Sequence, residues 1–258
     1  MKRGHPNTYT LTKSLAEDLV HSYRDRFNIT IVRPSIILAA VSEPFPGWVE
    51  NYSGPTSLLV GLYNGIFRTV LCDKKKLIKF VPIDVVVNAT IVATCKRTMM
   101  STNDVFYCNI TDSPNNVMSW EFMFTTLTKL AQDYPIRSTL WYPSSSSISN
   151  VSMYRLSTIF RHFLPCYLFD FLGVAGKKIK FVCWNSLSSI NILINYYLYH
   201  LRLFEIQKKL NSVMVIGFKY FTTSSFDFRT DNFNKLHTEM SSHDQIMFNC
   251  DVENVLTK

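Results

Sequence analysis

Tyr9 and Lys13 are the first side chains in this sequence whose types and spacing suit acid–base chemistry together. On a helix, four residues' separation sets them on one face, about 40° apart around the axis. An ammonium beside a phenol favours the phenolate, which would bring the tyrosine from its ordinary pKa of about 10 toward working pH. Such a tyrosine can protonate a carbonyl oxygen as hydride arrives at the carbon. The spacing alone is weak, because roughly one Tyr-x-x-x-Lys pair is expected by chance in a chain of this composition. The ordinary alternative is a surface tyrosine with Lys13 paired to Glu17 one turn further on, a helix-face contact worth roughly a few tenths of a kcal/mol.

The pair needs a helix to carry it, and the neighbouring residues supply one. Asn7 and Thr8 offer an N-cap, and from Tyr9 to about Arg24 the residues Leu11, Leu15 and Leu19 recur every four positions, as on one face of an amphipathic helix. Next comes Ile29-Thr30-Ile31-Val32-Arg33, a β-branched run typical of a buried parallel strand, which Pro34 ends by removing a backbone donor. Residues 42–65 are rich in proline, glycine and aromatics and predict a long shaped loop. Phe80-Val81-Pro82-Ile83-Asp84 leads into an apolar helix to about Lys96, with Asp84 expected to cap it and to take no catalytic role. A strand over Val105 to Ile110 and a helix from Ser119 to about Gln132 follow, so the first half alternates α and β.

Ser144 to Ser149 is the best linker, and a domain boundary is expected near residue 145, separating 1–145 from 146–258. Beyond it no proline follows Pro165, and only Gly217 follows Gly176, which predicts a helical second half. Phe181 to Leu201 carries no charge, but Asn185, Asn191, Asn195 and serines dilute it below a membrane span, so a core or interfacial helix is expected. Basic flanks at Lys177 to Lys180 and Arg202 suit peripheral membrane contact.

The 258 residues are 47% hydrophobic, 14% aromatic and only 18% charged, enough to bury a core and to exclude a disordered chain. The net charge of +8 is scattered, with dense clusters only at Lys74 to Lys79 and Lys177 to Lys180. Short runs of this kind are usually solvated turns, and nucleic acid is not expected as a partner. Cysteines 72, 95, 108, 166, 183 and 250 show no metal-ligand spacing and read as buried reduced thiols, so no metal site is expected. His5, His162 and His243 have no partner at recognisable spacing and read as surface or core residues. The Asn-x-Ser/Thr sequons at Asn28, Asn51, Asn88, Asn109 and Asn150 read as chance, since no apolar h-region precedes them.

Asn7-Thr-Tyr-Thr-Leu-Thr-Lys13-Ser-Leu-Ala-Glu17, followed by Ile31-Val-Arg-Pro-Ser-Ile36, resembles the extended short-chain dehydrogenase/reductases. Pro46-Gly-Trp48-Val-Glu-Asn51-Tyr-Ser-Gly54-Pro55, then Gly61 and Gly65, and Phe80-Val-Pro-Ile-Asp84-Val-Val-Val-Asn-Ala89 look like the alcohol-forming fatty acyl-CoA reductases of insect type. Phe163-Leu-Pro165-Cys-Tyr-Leu-Phe-Asp170, Phe221 to Phe228 and Asp244-Gln-Ile-Met-Phe248 resemble that family's helical C-terminal domain. The resemblance covers almost the whole chain.

It implies the C-terminal part of a Rossmann-like reductase domain followed by a mainly helical domain. It also implies reduction of a long-chain fatty acyl-CoA by NADPH, through an aldehyde, to a primary alcohol. Tyr9 would be the general acid, and Lys13 would hydrogen-bond the cofactor ribose. Pro34, Ser35 and Ile36, past the strand end where open α/β sheets bind ligands, would approach the nicotinamide through backbone groups. A plain strand stop is the equal alternative for Pro34 and Ser35. Trp48, Asn51, Gly54 and Pro55 would shape the acyl or pantetheine side of the cleft, with loop packing as the alternative. Similar reductases work at endoplasmic reticulum or peroxisomal membranes with the catalytic side toward the cytosol.

The family opens with a strand, a Gly-x-x-Gly-x-x-Gly turn and a helix that holds the dinucleotide pyrophosphate. No glycine triplet of that kind occurs among the eight glycines here, and the upstream catalytic Ser or Thr is missing too. The expectation is a piece of a longer reductase, inactive as it stands. A catalytically inactive, membrane-associated fragment or paralogue is the competing expectation.

Overall fold

A computed structural model describes residues 4–51, 53–102, 104–112, 118–136, 142–175 and 203–252. The elements in chain order are α1 (Thr8–His21), β1 (Thr30–Pro34), β2 (Ile36–Leu38), α2 (Pro55–Tyr63), β3 (Thr69–Leu71), β4 (Leu77–Ile78), β5 (Phe80–Pro82), α3 (Ile83–Met99), β6 (Phe106–Ile110), β7 (Met118–Ser119), α4 (Trp120–Asp133) and β8 (Ser146–Ile148). There follow α5 (Val151–Thr158), a π-helical turn at Ile159–Phe163, α6 (Leu164–Ala175), α7 (Leu203–Val213), a second π-helical turn at Met214–Phe218, α8 (Lys219–Thr223), α9 (Asp231–Glu239) and α10 (Ser242–Met247). They form two compact units, one of residues 1–51, 78–118 and 226–258, the other of residues 52–77 and 119–225.

In the first unit the Asn7 carboxamide accepts the Thr10 N–H at 2.9 Å and starts α1, as its sequence predicts. The β-branched run forms β1, which pairs in parallel with β6 from Thr30 opposite Phe106 to Pro34 opposite Ile110. Pro34 ends this pairing without stopping the extended chain. The chain changes partner, the Ser35 N–H donating to the Ile110 carbonyl at 2.8 Å and the Ile36 N–H to the Lys79 carbonyl at 3.2 Å. β2 then runs parallel to β5, Ile36 opposite Phe80 to Leu38 opposite Pro82.

Alternation along β6 sends Phe106, Cys108 and Ile110 inward, where Val85, Val86, Ala89 and Ala93 of α3 cover them. Phe233 and Leu236 of α9, with Cys250 and Val252, complete the same core. Here the structure departs from the boundary expected near residue 145. Apolar residues from the far end of the chain are needed to bury α3 and β6, so residues 226–252 belong with the N-terminal elements.

Position 145 itself lies inside the second unit, and the serine-rich stretch there is a strand rather than a linker. β8 pairs in parallel with β3, Thr69 opposite Ser146 to Leu71 opposite Ile148. The fully buried β3 presents backbone groups that need partners, and small serines fit against it. α2 is a second departure, since residues 55–63 of the expected loop are helical. Pro55 sits at the first helical position, where its missing N–H costs nothing. The Tyr63 hydroxyl donates to the Tyr134 carbonyl at 2.5 Å just past the end of α4, itself capped by Ser119 accepting the Phe122 N–H at 3.2 Å. The remaining second-half elements of this unit, α5 to α8, are helical, as the scarcity of breakers predicts.

Cys72, Cys108 and Cys250 are buried free thiols and Cys166 is half-buried, but Cys95 is exposed on α3, contrary to the expectation of burial. Phe181 to Leu201, its basic flanks and Cys183 lie outside the described residues. Among the described residues no helix is long and apolar enough to cross a membrane.

Candidate active site

α1 brings Tyr9 and Lys13 together, with the lysine Nζ 5.7 Å from the centre of the tyrosine ring. Tyr9 is 60% exposed, available to a ligand. Glu17 is not Lys13's partner. Both its carboxylate oxygens accept from Arg33, Oε1 from Nε at 2.9 Å and Oε2 from Nη2. This fork ties α1 to the end of β1, one residue before Pro34, and its hydrogen bond raises the Arg33 pKa above the ordinary value. The guanidinium also lies 4.8 Å from the centre of the Tyr107 ring on β6. Tethering is the main way α1 is held, for it buries no residue and leaves Leu15 and Leu19 exposed.

Pro34 and Ser35 sit at the carboxyl ends of the parallel strands β1 and β6, the edge where open α/β sheets take ligands. Of the backbone groups expected to approach the nicotinamide, the N–H groups of Ser35 and Ile36 are engaged in donating across the sheet. The Ser35 hydroxyl is a further polar group at this edge: its Oγ is buried and makes no hydrogen bond. A buried hydroxyl without a partner costs roughly 1–3 kcal/mol, and a polar ligand group at this edge would satisfy it. The nicotinamide carboxamide that the resemblance implies has the donor and acceptor for this, so the residues present fit it.

Beside this edge, two residues past β6, Asp112 is 4% exposed and accepts from Lys79 Nζ at 3.2 Å. Burial raises the Asp112 pKa, and the Lys79 charge opposes that rise. Nothing in the sequence pattern announces this pair, whose members are far apart along the chain.

Asp84 corrects another expectation. It lies inside α3, whose N-cap is Pro82, and does not hold the cap position, although its Oδ1 accepts the Val85 N–H of the first turn at 3.1 Å. Its Oδ2 instead accepts the N–H groups of Val41, Ser42 and Glu43 at 3.1, 2.9 and 3.2 Å and the Ser42 hydroxyl at 3.0 Å. Burial would raise its pKa, but these donors together outweigh burial and hold it below the ordinary carboxylate range. The carboxylate thereby fixes the start of the loop that ends in Trp48 and Asn51. Gly47, at φ +83°, donates to the Ala40 carbonyl at 2.8 Å, and Ala40 donates to the Trp48 carbonyl at 3.1 Å, which closes the loop on itself. Trp48 is half-buried there and Asn51 is exposed in the same unit. Gly54 and Pro55 belong to the second unit, where they start α2, so the structure does not describe these four residues as one site. Among the described residues no group of three His, Cys, Asp or Glu could hold a metal.

Parallel strands packed on α3, with a Tyr/Lys helix tied to the strand that ends at the ligand edge, define a Rossmann-like reductase domain, here joined to a helical C-terminal region. Two family models, both described as male sterility protein, match the chain, an NAD-binding model over residues 1–90 and a second over residues 161–258. A Drosophila melanogaster protein named as a fatty acyl-CoA reductase is 32% identical over 225 residues, covering 82% of this chain and 44% of that protein. Fatty acyl-CoA reductase 1 of Mus musculus is 30% identical over 248 residues, 96% of this chain and 44% of its own length. The reductase named wat of Drosophila melanogaster is 27% identical over 256 residues, 98% of this chain and 45% of its own length. The chain belongs to the fatty acyl-CoA reductase family. It spans a little under half the length of these curated relatives.

Proposed function

We propose that this chain is the portion of an alcohol-forming fatty acyl-CoA reductase that supplies the general acid and the helical domain, with NADPH as reductant and a long-chain fatty acyl-CoA as substrate. The observation that carries the reading is the Tyr9–Lys13 helix tethered through Glu17 and Arg33 to the strand that ends at Pro34 and Ser35. The bound nicotinamide would supply hydride to the carbonyl carbon. Tyr9 would donate its phenolic proton to the carbonyl oxygen of the aldehyde, giving the primary alcohol. Lys13 would hold the ribose and, as a cation one helical turn away, favour the phenolate left behind. The Ser35 hydroxyl would orient the carboxamide, and the loop bearing Trp48 and Asn51 would shape the acyl or pantetheine side.

The test is alcohol formation from palmitoyl-CoA and NADPH by a protein spanning the full length of the relatives, with and without Tyr9→Phe. Loss of about 10²- to 10⁴-fold in kcat with NADPH binding retained supports the assignment. Unchanged turnover refutes it. Membrane association at the endoplasmic reticulum or peroxisome, catalytic side toward the cytosol, belongs to the same proposal. Cell fractionation that leaves the protein wholly in the soluble fraction would count against it.

A further inference from the structure

In the second unit α5, the π-helical turn Ile159–Phe163 and α6 follow one another without a break. One side of this run is held inward. Tyr154 and Thr158, one helical turn apart, are buried, and the Tyr154 hydroxyl donates to the side-chain oxygen of Asn211 on α7 at 2.7 Å, which fixes the rotation of the helix about its axis. The other side faces water with the wrong chemistry for it. Leu156, Phe160, Leu164 and Leu168 recur every four residues, with Met153 and Tyr167 beside them, and all six are exposed, Phe160 to 61% and Tyr167 to 59%. A surface helix ordinarily sends its charged and polar residues outward. Single exposed apolar residues are commonplace, but a contiguous row of large ones marks a contact with a protein or a membrane.

Charge chooses between the two. No Asp or Glu occurs in the sequence from Tyr134 to Phe169, whereas Arg155 is exposed next to Leu156 and, in sequence, Lys177, Lys178 and Lys180 come shortly after the end of α6. We propose that the outward face of α5 and α6 seats the protein on an anionic bilayer surface, the apolar row entering the headgroup boundary while the basic residues meet acidic lipids. This rests on the membrane association included in the reading above and names the face that makes it. Binding of a helix that lies in the interface plane grows with the apolar area it buries and with attraction to anionic lipid, and this face offers both. A second copy of the chain would suit the apolar row, but it would set basic residues against basic residues with no acid on the face to pair them.

The test is flotation of the 258-residue chain with vesicles of phosphatidylcholine alone and of equal parts phosphatidylcholine and phosphatidylserine. The chain should bind the acidic vesicles, and Phe160→Glu combined with Leu164→Glu should weaken that binding by at least about tenfold. Arg155→Gln should weaken it about fivefold on acidic vesicles and leave neutral ones unchanged. Ile246→Glu, at an exposed apolar position on α10 of the first unit, should change nothing. Undiminished binding by the double variant would overturn the face and leave membrane association intact. Failure of the unsubstituted chain to bind either vesicle would overturn the face and the membrane reading together, without touching the reductase chemistry. A dimer in sedimentation that the double variant dissociates, with no vesicle binding, would give the face to a second copy and overturn the proposal. Should the double variant fail to fold, Phe160→Trp supplies a separate readout: its added fluorescence should be quenched by lipids brominated along their acyl chains, and an unquenched signal would refute the proposal by itself.

Discussion

Asp84→Asn tests whether one carboxylate holds the loop at the edge of the candidate cleft. Four donors converge on Oδ2 at 2.9 to 3.2 Å, three of them consecutive backbone N–H groups. The amide keeps the shape but has one acceptor oxygen and no charge, and its NH₂ cannot receive these donors. Hydrogen bonds to a charged group contribute about 1.5–3 kcal/mol each and neutral ones about 0.5–1.5, so four bonds would lose about 4 kcal/mol if additive. Donors sharing one oxygen are not additive, and a net loss of about 2–4 kcal/mol is expected. The pH dependence gives a second readout. A carboxylate held below its ordinary range contributes stability that is present above its unfolded value and is lost as pH falls through its folded value. Urea unfolding at pH 7 and at several pH values below 4 should show the substituted protein less stable at neutrality and the difference shrinking in acid. A loss under about 1 kcal/mol, or a difference that does not shrink, would refute the clamp.

His162 should make the protein acid-sensitive in a higher window. Burial first, then the charges of Arg68 and Arg161, push its pKa down to about 4 from an ordinary 6.5. The unfolded chain therefore takes up a proton that the folded one refuses, and stability is lost as pH falls from about 6.5 to about 4, by about 3 kcal/mol in total. Asp112, with its raised pKa, acts in the opposite sense across part of that window, losing stability as pH rises. The difference between the unsubstituted chain and His162→Gln in urea midpoints at pH 7 and pH 4.5 isolates the histidine, and parallel profiles would sink the idea. Gly61→Ala should cost about 1–3 kcal/mol by overpacking, because a methyl group there would sit 2.4 Å from the buried Phe67 ring. An unchanged urea midpoint would show that the ring moves aside freely.

Local periodicity made much of the fold legible. The Asn7 cap, the β-branched run of β1 and the helix after Ser119 are short-range features whose signals lie within a few residues of the structure they produce. The loop expected over 42–65 hid α2, because Pro55 reads as a breaker although it is compatible with a first helical turn. Ser144 to Ser149 read as a linker because its composition is that of one. Only the neighbouring β3 makes a strand of it, through pairing that composition does not encode.

The sequence by itself determined the Tyr9/Lys13 pairing, since both residues lie on one turn of a locally specified helix, and through its spaced motifs it determined the family. Tertiary structure decided which residues serve that helix and its edge. Glu17 finds Arg33, Lys79 finds Asp112, and Asp84 finds residues 41 to 43 only after the strands and α3 have packed. Distance along the chain is the physical reason. Side chains separated by a dozen residues or more meet because apolar burial brings their elements together, and that burial is indifferent to which polar groups it leaves side by side.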